Sequence, residues 1–227
     1  MEGSLVAYKV FTNGSVLNAS EINDNLMNQS VMVFSNSTAR AAALTAPVEG
    51  MLTWLQDTNK YENYNGTAWV ALGSSAVLQV KSTFKSNTFT MSSNTFADVT
   101  DLSVSITPSS ASSKVLAFFS LSGQADAATN GLFVRLMRDS TAIGIGDTDG
   151  SRIRTTYGNI STSTNVGYMG GFTFLDSPAT TSAVTYKVQV ASNTNGQTVF
   201  VNRLINNTDS ASFARSASSI TVMEVAA

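Results

Sequence analysis

DLSVSITP, residues 101–108, alternates between polar residues and Leu102, Val104 and Ile106. A period of two sends successive side chains to opposite faces of an extended chain, so these three aliphatic groups share one side. The rhythm returns in LFVRLMRD (132–139), through Leu132, Val134 and Leu136, and in AVTYKVQVAS (183–192), through Tyr186, Val188 and Val190. Between and around them lie AVLQVKSTF (76–84), KVLAFFSLSGQ (114–124), TAIGIG (141–146), GYMGGFTFLDS (167–177), TVFVNRLI (198–205) and SSITVMEV (218–225). Strand after strand, joined by short polar turns and uninterrupted by a useful helix, predicts an antiparallel β-sandwich or jelly roll and argues against βαβ units here.

The last of these runs places Ile220, Val222 and Glu224 on one side and Thr221, Met223 and Val225 on the other. Both faces are then partly apolar, which suits the centre of a sheet or a subunit interface better than an ordinary edge. Ile220, Val222 and Val225 are accordingly expected in the core or at a subunit interface.

Composition narrows the chemistry. Hydrophobic residues make up 43% of the 227, enough for a core, whereas charged residues are only 12%, about half the usual share of roughly 25%. Ser, Thr and Asn must therefore solvate the surface, and they favour turns and strands over long helices. The net charge of -2, from 13 basic and 15 acidic residues, gives no electrostatic footprint for nucleic acid. Cysteine and histidine are both absent, which excludes disulfides, thiolate nucleophiles, zinc fingers and Ser/His/Asp triads. No apolar run is long enough for membrane insertion, and the amino terminus does not read as a secretory signal.

Before residue 77 the pattern changes. VLNASEINDNLMNQSVMVF (16–34) reads as a short helix capped by Ser20, with Glu21 in its first turn and Ile22 and Leu26 on one face. A second helix is expected over Ala39 to Leu44, ending before Pro47. MLTWLQ, a turn at Asp57 to Lys60, YENY, an Asn65-Gly66 turn and TAWVAL then predict a β-meander. So small a sheet has little core, and Trp54, Tyr61, Tyr64 and Trp69 are expected to form one aromatic cluster that packs it. GSSA, residues 73–76, is the linker, dividing the chain into 1–76 and 77–227.

No residue set singles out a catalytic site, a cofactor site or a metal site. Asp147 and Asp149, in GIGDTDGSRIR (144–154), have oxygen ligands at the right spacing for calcium, but the helix-flanked loop that would make them specific is missing. An exposed loop is the expected reading. Arg135 shares the parity of Phe133 and Met137, so it must pair or snorkel. Loops carrying Gln124 and Asn130, Asp147 and Asp149, and Asn195 are the candidates for binding polar ligands such as glycans.

With these residues on the page, two resemblances follow. The stretch FTNGSVLNASEINDNLMNQ, followed by STARAAALTAPVEGMLTWLQDTNKYENYNGTAWVAL, resembles a segment common in tail-associated and minor structural proteins of tailed bacteriophages. Its frame here is Arg40, Pro47, Glu49-Gly50, Asp57-Thr58, Tyr64, Gly66 and Trp69. The later part, with ITPSSASSKVLAFFSLSG, LFVRLMRDSTAIGIGD and SSITVMEV, resembles the β-sandwich head of phage fibre-like proteins and, beyond them, the trimeric jelly roll of tumour necrosis factor and C1q. The resemblance implies a non-enzymatic virion component, assembled in the host cytoplasm as a homotrimer and attached to the phage tail through residues 1 to about 72. Its head would face a host-surface glycan or protein, or neighbouring virion proteins. With only GSSA between attachment region and head, a short fibre or adaptor is expected rather than a long fibre. A capsid decoration or head-fibre protein and a carboxylate-dependent, glycan-cleaving tail enzyme are the alternatives.

Overall fold

The structure, a computed structural model, describes residues 13, 14, 16, 18–22, 30–73, 76–126, 129–160 and 167–226. The chain separates into two compact units, Met1–Ser74 and Ser75–Ala227. Its architecture is mainly β.

In the first unit, a short helix α1 (Ala19–Ile22) begins one residue before Ser20, so the expected Ser20 cap lies inside the helix, and the Ile22 amide donates to the Asn18 carbonyl. Leu26, expected on the same face, lies outside the described residues. Val31–Phe34, which the helix reading had absorbed, is strand β1. Two β-branched valines alternating with Met32 and Phe34 favour the extended chain. Helix α2 (Ser37–Ala43) starts where the Asn36 side chain accepts the Ala39 amide at 2.8 Å, a local bond that ends the strand and starts the helix. Strands β2 (Leu52–Leu55), β3 (Lys60–Tyr64) and β4 (Trp69–Ala71) complete a sheet ordered β1-β2-β3-β4.

β1 runs parallel to β2 and reaches it through α2, a small βαβ crossover that the sequence did not predict. A parallel pair requires such a connection because its two ends lie at opposite edges of the sheet. The polar contact under α2 is made by Arg40. It is buried, its guanidinium pairs with the Glu62 carboxylate, and its plane lies 4.3 Å from the Trp69 ring centroid. Two members of the sequence frame, Arg40 and Trp69, thus prove to be in one contact: Arg40 joins helix to strand through Glu62, with Trp69 shielding the pair from water.

In the second unit, two antiparallel sheets face each other. One, ordered β10-β9-β13-β7, contains β7 (Ala97–Ile106), β9 (Gly131–Arg138), β10 (Thr141–Ile143) and β13 (Val184–Ser192), with β11 (Tyr157–Ile160) also paired to β9. The other, ordered β5-β15-β8-β14-β6, contains β5 (Val77–Lys85), β6 (Phe89–Ser92), β8 (Lys114–Ala125), β14 (Thr198–Val201) and β15 (Ser218–Val225), with β12 (Tyr168–Asp176) added to β8. The alternating residues point inward as the sequence requires. Leu102, Val104 and Ile106 meet Val115, Ala117, Phe119, Ile220 and Val222 across the sandwich in one core, which Val134, Leu136, Val188 and Val190 continue. Each fully buried aliphatic side chain contributes about 2 kcal/mol.

Trp54 and Trp69 are the only two tryptophans of the chain, so indole fluorescence reports on the first unit alone. Arg40→Ala removes the partner of the partly buried Glu62 and uncovers Trp69. The expected outcome is a lower midpoint of the fluorescence-monitored unfolding transition, by about 3 kcal/mol of stability; an unshifted midpoint would contradict the role given to Arg40.

Candidate interaction surfaces

The four aromatics of the first unit do not form one cluster. Trp54 stands opposite Tyr61 with ring centroids 4.7 Å apart, and Tyr64 opposite Trp69 at 5.4 Å. Tyr61 and Tyr64 are three residues apart on β3, an odd spacing that sends them to opposite faces. Tyr64 and Trp69 lie on the α2 side. Trp54 and the half-exposed Tyr61 lie on the other side, with Val31, Val33 and Val70, all exposed. The Asn65-Gly66 turn is present but is not a pair of left-handed residues: only Gly66 has positive φ, at 89°. Asn65 Oδ1 instead accepts from the Thr67 and Ala68 amides at 3.0 and 2.8 Å, closing a longer loop through its side chain.

β15 occupies the position its two apolar sides suggested. It lies between β5 and β8, hydrogen-bonded to both. Ile220 and Val222 are fully buried, facing the sandwich core. Val225 belongs to the opposite, outer face and is only partly covered, so of the three it alone lies outside the core. Along that outer face the register lines up Met223 with Val80 and Leu116, and Thr221 with Ser82 and Phe118. β12 extends the rows, with Leu175 beside Leu116. Leu78, Val80, Phe84 and Leu175 are exposed there, and the charged residue placed on it by these pairings is Lys114, at its end opposite Val225. The outer face of the other sheet differs in chemistry. Ser105 and Thr185 bond side chain to side chain at 2.8 Å, and Lys187 and Gln189 both reach Asp98 at 2.8 Å. Arg135, which had to pair or snorkel, lies with its guanidinium 3.8 Å from the Phe96 ring centroid while Nε donates to the Arg154 carbonyl.

Two acids are interior rather than superficial. Glu224 is fully buried on the inner side of β15. It accepts from Gln79 Nε2 at 2.6 Å and from the Ser109 amide and hydroxyl at 2.7 and 2.6 Å. Burial by itself would raise its pKa, but these donors, with Ser113, act the other way and hold it at about 2. Asp176 closes β12. It receives Arg138 at 2.8 Å and the hydroxyl of the fully buried Tyr186 at 2.7 Å, tying the two sheets together. Burial, reinforced by the Asp176 carboxylate, pushes the Tyr186 phenol far upward, so Tyr186 remains the donor of that bond.

Among the loop residues singled out from the sequence, Asp147, Asp149 and Asn195 are exposed. Asp149 pairs with Arg152, and among the described residues no three potential ligands converge on a metal site. Gln124 and Asn130 are corrections. Gln124 lies within β8 and is buried, and Asn130 is buried with its amide donating to Asp126 at 2.7 Å. Asp126 also accepts the Thr198 amide, so this polar cluster fastens the β8–β9 connection to β14 instead of facing a ligand.

The cleft beside β14 has no signature in the sequence. Asn202 follows that strand with φ of 61° and is completely buried. Its amide donates to the Ser122 carbonyl, its side-chain nitrogen to the Lys85 and Asn87 carbonyls, and its side-chain oxygen accepts from Ser218 at 2.6 Å. Asn is among the few residues that enter the left-handed region readily, and these bonds hold it there. The next residue, Arg203, thereby folds back over Phe200, 4.3 Å from the ring centroid, and lines a cleft of about 310 Å³ with Tyr168, Leu204, Ser122 and Ser216.

No family model matches the chain, and no curated protein matches it. Among solved structures it is similar to a mutant VP2 protein of infectious bursal disease virus in derived T=1 particles, at 12% identity over 73% of this chain and 42% of that one, with a TM-score of 0.37. It is also similar to the Gx strain structure of that virus, at 11% identity over 73% and 43% with a TM-score of 0.35, and to its VP2 subviral particle, at 10% over 73% and 44% with a TM-score of 0.33. The chain spans less than half the length of each of these chains.

The Glu224 network gives the second unit a defined acid response. A carboxyl whose folded pKa is about 2, below its ordinary 4.5, contributes stability fully present above pH 4.5 and lost as pH falls through about 2. Glu224→Gln should therefore flatten the decline in stability between pH 4.5 and 2, measured by circular dichroism melts across that window. A slope equal to that of the native chain would remove Glu224 from the acid response.

Proposed function

We propose that this chain is a non-enzymatic structural component of a virus particle, a short fibre-like protein of a phage tail, whose sandwich is a display head that assembles with copies of itself as a trimer. The observation that carries this reading is the outer face of the β5-β15-β8-β12 surface, with Leu78, Val80, Phe84, Leu116, Phe118, Leu175 and Met223 gathered over four neighbouring strands. Contiguous apolar surface of this kind marks an interaction site. A partner recognised by charge would find little there to pair with, whereas a second copy offers the same rows of aliphatic groups and small hydroxyls. β15 and β8, at the centre of this surface, are already paired on both sides, so association over them proceeds through side chains packed face against face.

The first unit serves as the attachment region. Its free sheet side, carrying Val31, Val33, Tyr61 and Val70, supports docking to another virion protein, while Arg40 and Trp69 fix the opposite side internally. The exposed Asp147, Asp149 and Asn195 loops are left to meet a host-surface glycan or protein.

Light scattering on the purified chain should give the mass of a trimer. Val80→Glu combined with Phe84→Glu places carboxylates on the exposed apolar face without touching the core and should yield a folded monomer. A native chain that is monomeric at working concentration, or a double variant that still forms trimers, would refute assembly through this face. Val33→Asp should leave the trimer intact and abolish incorporation into particles, read by labelled protein in purified virions.

A further inference from the structure

The cleft at Arg203 has the features of a built anion site. Among the described residues no carboxylate pairs with Arg203, and its Nε is buried without a hydrogen-bond partner. Buried donors are nearly always satisfied, so the unmatched Nε shows that no acceptor within the fold has claimed this guanidinium. The side chain is nonetheless held in place: Phe200 supports its plane from below, and Asn202, with φ of 61° and hydrogen bonds to three separate segments, fixes the backbone from which it springs. The left-handed turn at Asn202, held by these bonds, sets the direction in which the guanidinium leaves the chain. Ordering the arginine in advance removes an entropic cost that a ligand would otherwise bear.

The other walls narrow the ligand. Tyr168 and Leu204 provide apolar and aromatic surface, while Ser122 and Ser216, linked hydroxyl to hydroxyl at 2.8 Å, provide neutral polar groups. Apolar stacking surface, hydroxyls and one planar cation together match a sugar ring bearing a carboxylate. The volume of about 310 Å³ is at the small end of ligand pockets, which span roughly 300–1,000 Å³, and fits one ring rather than a long oligosaccharide. Arg215, paired with Arg203 across an isolated bridge, is exposed and does not line the cleft. The cleft therefore offers a single cation, enough for a monoanionic carboxylate and less than a phosphate dianion calls for.

We propose that this cleft binds an acidic saccharide residue, with Arg203 as the bidentate anchor for its carboxylate, Tyr168 as the ring platform and Asn202 as the residue that positions the anchor. The inference names a ligand class for the head and rests on the display reading above only for its biological setting, because binding belongs to the cleft of the intact chain whatever particle carries it.

The test is calorimetric titration of the full-length protein at low salt with glucuronate, glucose and glucose 6-phosphate. Saturable binding of glucuronate in the millimolar range is expected, at least tenfold tighter than glucose and tighter than glucose 6-phosphate. Arg203→Gln should abolish it with only a small drop in the thermal midpoint, since Arg203 makes no ion pair in the fold and its one ring contact is with Phe200; Arg203→Lys should weaken it several-fold, and Arg215→Gln by less than twofold. No detectable glucuronate binding, equal binding of glucose, preference for the phosphate, or undiminished affinity in both Arg203 variants would each overturn the proposal. The oligomeric mass measured on the same samples separates this failure from failure of the assembly reading.

Discussion

A strand pleat must send every second side chain outward, and in Ser218–Val225 that geometric rule governs the whole second unit. Ile220 and Val222 complete the core, while the same strand carries Thr221, Met223 and Val225 to the other side. Because β15 pairs with β5 and β8, its neighbours bring Val80, Phe84, Leu116 and Phe118 onto that outer surface in register. Filling the interior and exposing an apolar exterior are therefore two consequences of one alternation. The opposite sheet solves the same problem differently, covering its exterior with hydroxyl pairs and the Lys187–Asp98–Gln189 group. This asymmetry between the faces of one sandwich is the basis for reading one of them as an assembly surface.

Burial of polar groups gives the sandwich its fixed register. Glu224 sits among four donors contributed by β5 and the segment after β7, and Asp176 joins β12 to Arg138 on β9 and Tyr186 on β13. A one-residue slip of β15 would turn Glu224 out of its network and Val225 into the core. Asn202 plays a related part at the end of β14, where its side chain holds the β5 end and β15 together while the chain reverses toward Arg203. The first unit has its own version in Arg40, Glu62 and Trp69, which lock a helix of only seven residues onto its sheet.

The period-two runs made the sandwich readable in the sequence, because burial on one side of a strand leaves a local imprint. Leu102, Val104 and Ile106 needed no knowledge of their partners to be placed inside. What could not be read depended on partners far along the chain. Glu224 finds Ser109 across 115 positions and Asn202 finds Lys85 across 117, so neither polar residue differs locally from one expected at the surface. Gln124 and Asn130 differ from expectation for that reason: their amides suit a wet loop, whereas Gln124 continues β8 and Asn130 is taken up by Asp126. β1 was hidden by proximity to helix-compatible residues, and its parallel pairing with β2 has no signature in either strand alone. The Arg203 cleft was equally invisible, since it is assembled by a backbone reversal at Asn202 and not by any motif.

Because the chain contains no cysteine, single introduced thiols read the proposed assembly surface directly. Val80→Cys on the apolar outer face and Ser103→Cys on the polar outer face can be compared by their rates of maleimide labelling in the native assembly and after denaturation. Coverage of the apolar face by further copies predicts that the thiol at position 80 reacts far more slowly than the one at position 103 until the protein is unfolded. Equal, rapid labelling of both in the native protein would contradict the account.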